Sequence, residues 1–206
     1  MTMHIIGVDC ATEAKKVGLA LATWSPGRTT IIKARTGGAS DERLDETIAE
    51  WIQAATGPVL LALDAPLGWP LGMRDALETH RAGETIWIED DLMFRRDTDR
   101  EIKRTLGKTS LDVGADRIAR TAHAARRLIG RLRQKMTDPI PLAWTPIGLP
   151  RLSAIEVYPA ATLKAHGLDA AGYKKPDGER ERRKLVNKLK KKLAGRLTLQ
   201  EDQDEM

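Results

Sequence analysis

The chain has 206 residues, 41% of them hydrophobic, a formal net charge of +5 and a single cysteine. That length supports one domain with a sizeable core, and a lone cysteine excludes an internal disulfide framework. No apolar run reaches the roughly 20 residues that span a bilayer, and the first residues lack the order of a signal peptide, so the expectation is a cytoplasmic protein with no membrane partner.

The charge is unevenly placed. Residues 174–196 hold seven Lys and four Arg against three acids, a net +8, so the rest of the chain carries −3. The basicity is a local face of the kind that meets phosphate, not a property of the whole chain.

In chain order, Ile5, Ile6 and Val8 form a short apolar run that reads as a buried strand, and the run ends in Asp9. Cys10, next in line, reads as a small buried hydrophobe in preference to a nucleophile. Residues 17–24 and 29–35 read as two further strands around the turn Ser25-Pro26-Gly27-Arg28. Their close spacing predicts an antiparallel meander. Residues 41–55 place Leu44, Ile48, Trp51, Ile52 and Ala55 on one helical face, with Ser40 as N-cap and Gly57-Pro58 as the stop. Val59 to Leu63 is another apolar run, closed by Asp64, Ala65 and Pro66. Because it follows a helix, it can return parallel to the first strand.

Residues 66–111 lack a sustained period and read as an insertion or cap, with short helices expected around 73–81 and 90–94. This segment carries Arg95, Arg96 and Arg100, either a solvated surface or a grip on phosphate. Residues 112–136 predict a long helix whose seam includes Ala122, Ala125, Ile129 and Leu132; most of the arginines on its other face read as solvated. A third strand pattern, Ala154-Ile155-Glu156-Val157, contains Glu156 within it. A short helix from Pro159 and a basic helix over 179–194 follow, the latter in a basic tail over 174–206.

Asp9, Asp64 and Glu156 thus end or interrupt three strand-like runs. If those strands are neighbours, the carboxylates meet, and like charges so close raise each other's pKa unless a cation lies between them. Oxygen-only ligands suit Mg²⁺ or Mn²⁺.

Five stretches taken together resemble the domain of unknown function 429 family, in order and over essentially the whole chain. They are Gly7-Val8-Asp9-Cys10-Ala11-Thr12, Leu63-Asp64-Ala65-Pro66-Leu67-Gly68-Trp69-Pro70, Phe94-Arg95-Arg96-Asp97-Thr98-Asp99-Arg100, Val113-Gly114-Ala115-Asp116-Arg117-Ile118 and Glu156-Val157-Tyr158-Pro159-Ala160-Ala161. The family is described as predicted ribonuclease H-like nucleases. The resemblance implies an α/β, ribonuclease H-like fold in one domain over 1–206: a five-stranded mixed sheet flanked by helices, with a helical or loop insertion after the fourth strand. It also implies an acidic site from Asp9, Asp64 and Glu156. In the family a late acidic motif opens an apolar helix; here Glu201-Asp202-Gln203-Asp204 supplies the acids without the apolar run, which leaves Asp204 as a possible fourth ligand.

The expected activity is metal-dependent hydrolysis of phosphodiesters in nucleic acid. Asp9, Asp64 and Glu156 would be catalytic and would hold the Mg²⁺ or Mn²⁺ ions, with Asp204 as an addition. Arg95, Arg96 and Arg100 would neutralise substrate phosphates, and the basic helix would hold the backbone. The rival expectation is a non-catalytic nucleic-acid or protein-binding module on the same fold. A phosphotransferase is a third, disfavoured by the lack of glycine-rich phosphate loops.

Overall fold

The computed structural model describes residues 2–114, 116–168, 171–175 and 177–199. Asp204 lies outside the described residues. The first run forms β1 (Met3–Asp9), followed by β2 (Gly18–Ser25) and β3 (Arg28–Thr36). Pro26 and Gly27 join β2 to β3, Gly27 taking φ 80°. Proline then glycine at the two central positions of a tight turn supplies one fixed φ and one positive φ. The three strands pair antiparallel in sequence, as the meander predicts.

Helix α1 (Asp41–Ala54) starts where Ser40 Oγ accepts the Arg43 N–H at 3.3 Å. It leads into β4 (Val59–Leu63), which pairs parallel to β1. Within the insertion the chain forms α2 (Leu71–Leu77), α3 (Asp90–Phe94) and α4 (Asp97–Leu106). The long helix α5 begins at Asp116 and runs to Lys135. Then come β5 (Leu152–Glu156), parallel to β4, α6 (Pro159–Ala165) and α7 (Glu179–Lys192).

A last short strand, β6 (Leu197–Leu199), pairs parallel with β3. The sheet is therefore six-stranded, in the order β5-β4-β1-β2-β3-β6, where five strands were expected. Three residues of alternating Leu and Thr after a basic helix carry too little pattern to stand out in the sequence. They become a strand because β3 would otherwise be a bare edge, and an edge offers unpaired N–H and C=O groups.

Strand alternation builds the core on one face. Ile6 and Val8 of β1, Leu19 of β2, Leu61 and Leu63 of β4 and Leu152 and Ala154 of β5 are buried with Leu44, Ile48, Trp51 and Ile52 of α1. Ala125, Leu128, Ile129 and Leu132 of α5 complete the layer. Burying each of the larger side chains is worth about 1.5–3 kcal/mol. Arg131 of α5 forms ion pairs across the layer with Asp41 and Asp45 of α1. Asp45 of α1 is 2% exposed, and Arg131 of α5 donates to it from Nε at 2.6 Å and Nη2 at 3.0 Å. Arg131 is therefore an interior partner and not one of the solvated arginines expected on α5. The opposite sheet face carries small residues, Gly7, Ala20 and Ala62, in one cross-strand row.

The insertion contains one helix the periodicity did not reveal. Helix α4 has only Ile102 and Leu106 as aliphatic residues, so an apolar stripe is nearly absent. Its ends carry the signal. Asp97 and Asp99 occupy the first turn, Lys103 and Arg104 the last, and Gly107 stops it at φ 57°.

Candidate acidic site

The strand register decides which carboxylates meet. Val8 of β1 lies opposite Leu63 of β4, and Leu63 lies opposite Glu156 of β5. Asp9 and Asp64 each follow by one residue, and the ladder continues past Leu63, with Asp64 N–H donating to Val8 O at 2.9 Å. Successive strand residues point to opposite faces. Asp9 and Asp64 therefore share the small-residue face, whereas Glu156 has the parity of the core face. Gly18, opposite Asp9, gives the carboxylate its room: a Cβ there would come within 3.3 Å of the Asp9 Cβ.

Both sides open onto space. A cleft of about 880 Å³ is lined by Asp9, Asp64, Glu156 and Arg96 together with Lys108 and Lys174. A second cleft of about 760 Å³ lies over the small-residue face and shares Asp9, Asp64 and Lys174 with the first. Asp9 and Asp64 stand where the two meet.

Each carboxylate has its own environment. Asp9 is exposed and makes no ion pair among the described residues. Asp64 is largely covered, and Lys174 Nζ approaches its Oδ2 at 3.2 Å. Burial pushes the Asp64 carboxyl above the ordinary carboxylate range; Lys174 opposes this, and the charges of Asp9 and Glu156 add to it. Glu156 accepts from Arg96 twice, Nη1 to Oε2 and Nη2 to Oε1, both at 2.7 Å. The Leu67 N–H donates to the same Oε2 at 2.9 Å. The Asp64-to-Trp69 turn is thereby tied to the end of β5.

Arg96 is the centre of a wider network. Its Nε and Nη2 also donate to Asp99 at 2.9 and 3.0 Å, and Asp99 accepts from Ser110 Oγ at 3.0 Å. Asp99 is 3% exposed. Burial alone would raise its pKa, but hydrogen bonds from the Arg96 side chain and backbone outweigh that and hold it below the ordinary value. Arg95 pairs with Asp91 at 2.7 Å and Asp112 at 3.5 Å. Arg100 donates to Asp97, to Arg95 O at 2.9 Å and to Asp91 O at 3.2 Å. All three arginines expected to grip phosphate are thus engaged in binding the insertion together, and of the three only Arg96 lines the cleft.

Cys10 does not supply a nucleophile. Burial, with the neighbouring charges of Asp64 and Asp9, pushes its thiol up to about 12, and a protonated thiol is a poor nucleophile. It lies against the core and points its Sγ at Val8 O, 3.6 Å away.

Among the described residues, no group of three or more His, Cys, Asp or Glu is placed to hold a metal ion. Register gives the reason. Asp9 and Asp64 are a matched oxygen pair, and both Glu156 oxygens are already taken by Arg96.

Three residues of this cleft carry no site signal of their own in the sequence pattern. Lys174 stood in the basic run as one lysine among seven, and nothing in the pattern linked it to Asp64. Asp99 was one acid in a charged stretch; only its third-residue place in a capped helix marks it, where it accepts the Arg96 backbone N–H at 3.1 Å. Lys108 follows Gly107 in a connection with no period.

A family model for proteins of unknown function, DUF429, matches residues 7–205. The chain belongs to the DUF429 family. The match runs from within β1 to beyond β6. No curated protein and no solved structure matches the chain. No helix among the described residues is long and apolar enough to cross a membrane.

Proposed function

We propose that the protein is a metal-dependent phosphodiesterase acting on nucleic acid, built on a ribonuclease H-like sheet. The observation that carries this reading is the pairing of Asp9 and Asp64 on one face, at the carboxyl ends of adjacent parallel strands. Open sheets of this type bind ligands outside the carboxyl ends of their strands. The strand order supports the fold assignment, with three antiparallel strands followed by two that run parallel to the first.

Mg²⁺ or Mn²⁺ fits the chemistry of this oxygen pair. Asp9 and Asp64 would hold it, and when bound it supplies Lewis-acid activation of water and of a phosphodiester oxygen. Glu156 acts one step away, holding Arg96 in place at the cleft wall. Lys108 and Lys175 make no ion pair among the described residues and line the same cleft, so they are available to substrate phosphates. The lysines and arginines of α7 extend that positive surface.

A non-catalytic binding module on the same fold is the second reading. It is favoured by one observation: Arg96 and Lys174 already form ion pairs with two of the three carboxylates. Labelled single-stranded, duplex and branched DNA and RNA incubated in Mn²⁺, with EDTA and Asp9→Asn controls, separates the two. Cleavage that requires both the metal and Asp9 is expected. Cleavage that survives Asp9→Asn rejects the assignment of Asp9, and none on any substrate by a folded protein rejects the enzyme reading.

A further inference from the structure

Lys174 sits on a built strap. Residues 172–175 cross in front of the carboxyl ends of β1 and β4, with Gly172 at φ 79°. Arg182 of α7 clasps the strap, its Nη1 donating to Tyr173 O at 3.1 Å and Lys175 O at 2.8 Å. The turn is tight enough that a Cβ on Gly178 would lie 2.4 Å from Gly172 O. The Tyr173 hydroxyl is buried with no hydrogen-bond partner. This clasp points the Lys174 ammonium at Asp64 Oδ2, 3.2 Å away, beside Asp9, which makes no ion pair among the described residues.

The pair is asymmetric. The Lys174 side chain is 59% exposed and that of Asp64 18%. A lysine ammonium is a compact charge on a flexible stem, and an exposed single-contact pair is weak and exchangeable. The Arg96–Glu156 pair beside it is bidentate, and its arginine is only 12% exposed.

We propose that Lys174 is a substrate-binding residue held in reserve: it is the counter-ion of Asp64 until a divalent cation takes that carboxylate, and its freed ammonium then binds a substrate phosphate. This rests on the metal-dependent reading of the Asp9–Asp64 pair and adds to it the order of events and the residue that links them. Asp9 and Asp64 would both hold a divalent cation, whereas the ammonium hydrogen-bonds to Asp64 alone and acts on Asp9 only through space. Displaced on its stem, Lys174 stays in the cleft that Lys108 and Lys175 also line.

Titration calorimetry on the full chain tests this with two probes: Mn²⁺ alone, then a phosphorothioate hexathymidylate in saturating Mn²⁺. Lys174→Met removes the internal competitor, so Mn²⁺ should bind about 2- to 5-fold more tightly. The same variant should bind the oligonucleotide at least about 5-fold more weakly, and Lys174→Arg should restore both values towards the original. Opposite movement of the two affinities is the signature that general destabilisation would not produce, and an unchanged melting temperature confirms the fold. Mn²⁺ bound equally by Lys174→Met and the unmodified protein, or an oligonucleotide affinity that does not fall, overturns the role of Lys174 alone. Absence of Mn²⁺ binding in both proteins, or binding that survives Asp64→Asn unchanged, overturns the metal reading and this inference with it.

Discussion

Replacing Arg96 by alanine should test the network that positions the cleft. The substitution removes both hydrogen bonds to Glu156 and both side-chain bonds to Asp99. The two acids then fare differently. The Glu156 side chain is 31% exposed and still accepts the Leu67 N–H, so water can solvate it. The Asp99 side chain is 4% exposed and keeps only Ser110 Oγ and one backbone N–H. Removing one partner of a buried pair costs about 3–5 kcal/mol because the other charge is left uncompensated. The two remaining hydrogen bonds place Asp99 at the lower end, about 3 kcal/mol. For a chain of this size each kcal/mol moves the melting temperature by about 2–4 °C, so the expected loss is roughly 6–12 °C. Urea unfolding followed by circular dichroism measures the free energy directly. Adding Asp99→Leu to Arg96→Ala should recover much of it, since an apolar group of similar size removes the buried charge. A loss under about 1 kcal/mol for the single variant, or a further loss in the double variant, would show that the pair does not hold α4 to the sheet.

The other outcomes are more local. Asp99 titrates below its ordinary 3.8 in the folded protein, so its contribution is present above the unfolded pKa and is lost as pH falls through the folded one. Asp64 is shifted the other way, so its contribution is present in acid and lost as pH rises through its folded pKa; acid unfolding curves should therefore flatten in Asp99→Asn and steepen in Asp64→Asn. With a thiol at about 12 against 9.0, the thiolate fraction of Cys10 at pH 8 is on the order of 1,000-fold below that of a free cysteine; reaction with a disulfide reagent at the rate of a free thiol would contradict the burial argument. Val157→Asp places a third carboxylate at the parity of Asp9 and Asp64 while leaving Glu156 to Arg96, and should tighten Mn²⁺ binding about 10-fold or more by calorimetry; no tightening would show that strand parity does not control the site.

Most of the sheet was legible because β1, β2, β4 and β5 are largely apolar runs closed by a turn or a charge, and β3 is rich in Thr and Ile after a Pro-Gly turn. Ile5 to Asp9, Val59 to Asp64 and Ala154 to Glu156 all announce themselves this way, and Ser40 and Gly57-Pro58 bracket α1. The elements that were missed lack such runs. Helix α4 is written in charges and caps, and β6 in three residues. The site was half legible. Asp9 and Asp64 could be placed at strand ends, but whether Glu156 joins them depends on register, and a slip of one residue changes the face of every side chain. Register between β4 and β5 is set across some 90 residues of intervening chain, through core pairs such as Leu61 with Ala154. No local pattern contains that information. The same holds for Lys174, which reaches Asp64 across 110 residues.

The two internal cations of the site differ in kind, and that difference bears on what the cleft can do. Arg96 is planar, doubly paired to Glu156 and doubly paired to Asp99, so removing it exposes a buried charge. Lys174 donates one hydrogen bond, from an ammonium on an exposed stem that also lies 5.8 Å from the centre of the Tyr173 ring, to a carboxylate whose proton affinity is already raised by burial and by its acidic neighbours. Asp64 thus keeps a raised proton affinity in spite of Lys174, and Asp9 beside it makes no ion pair among the described residues. A divalent cation would relieve both at once, and would do so without disturbing the Arg96 network that keeps the insertion docked. The fixed pair maintains the shape of the cleft, and the weak pair marks the place where an incoming charge is favoured.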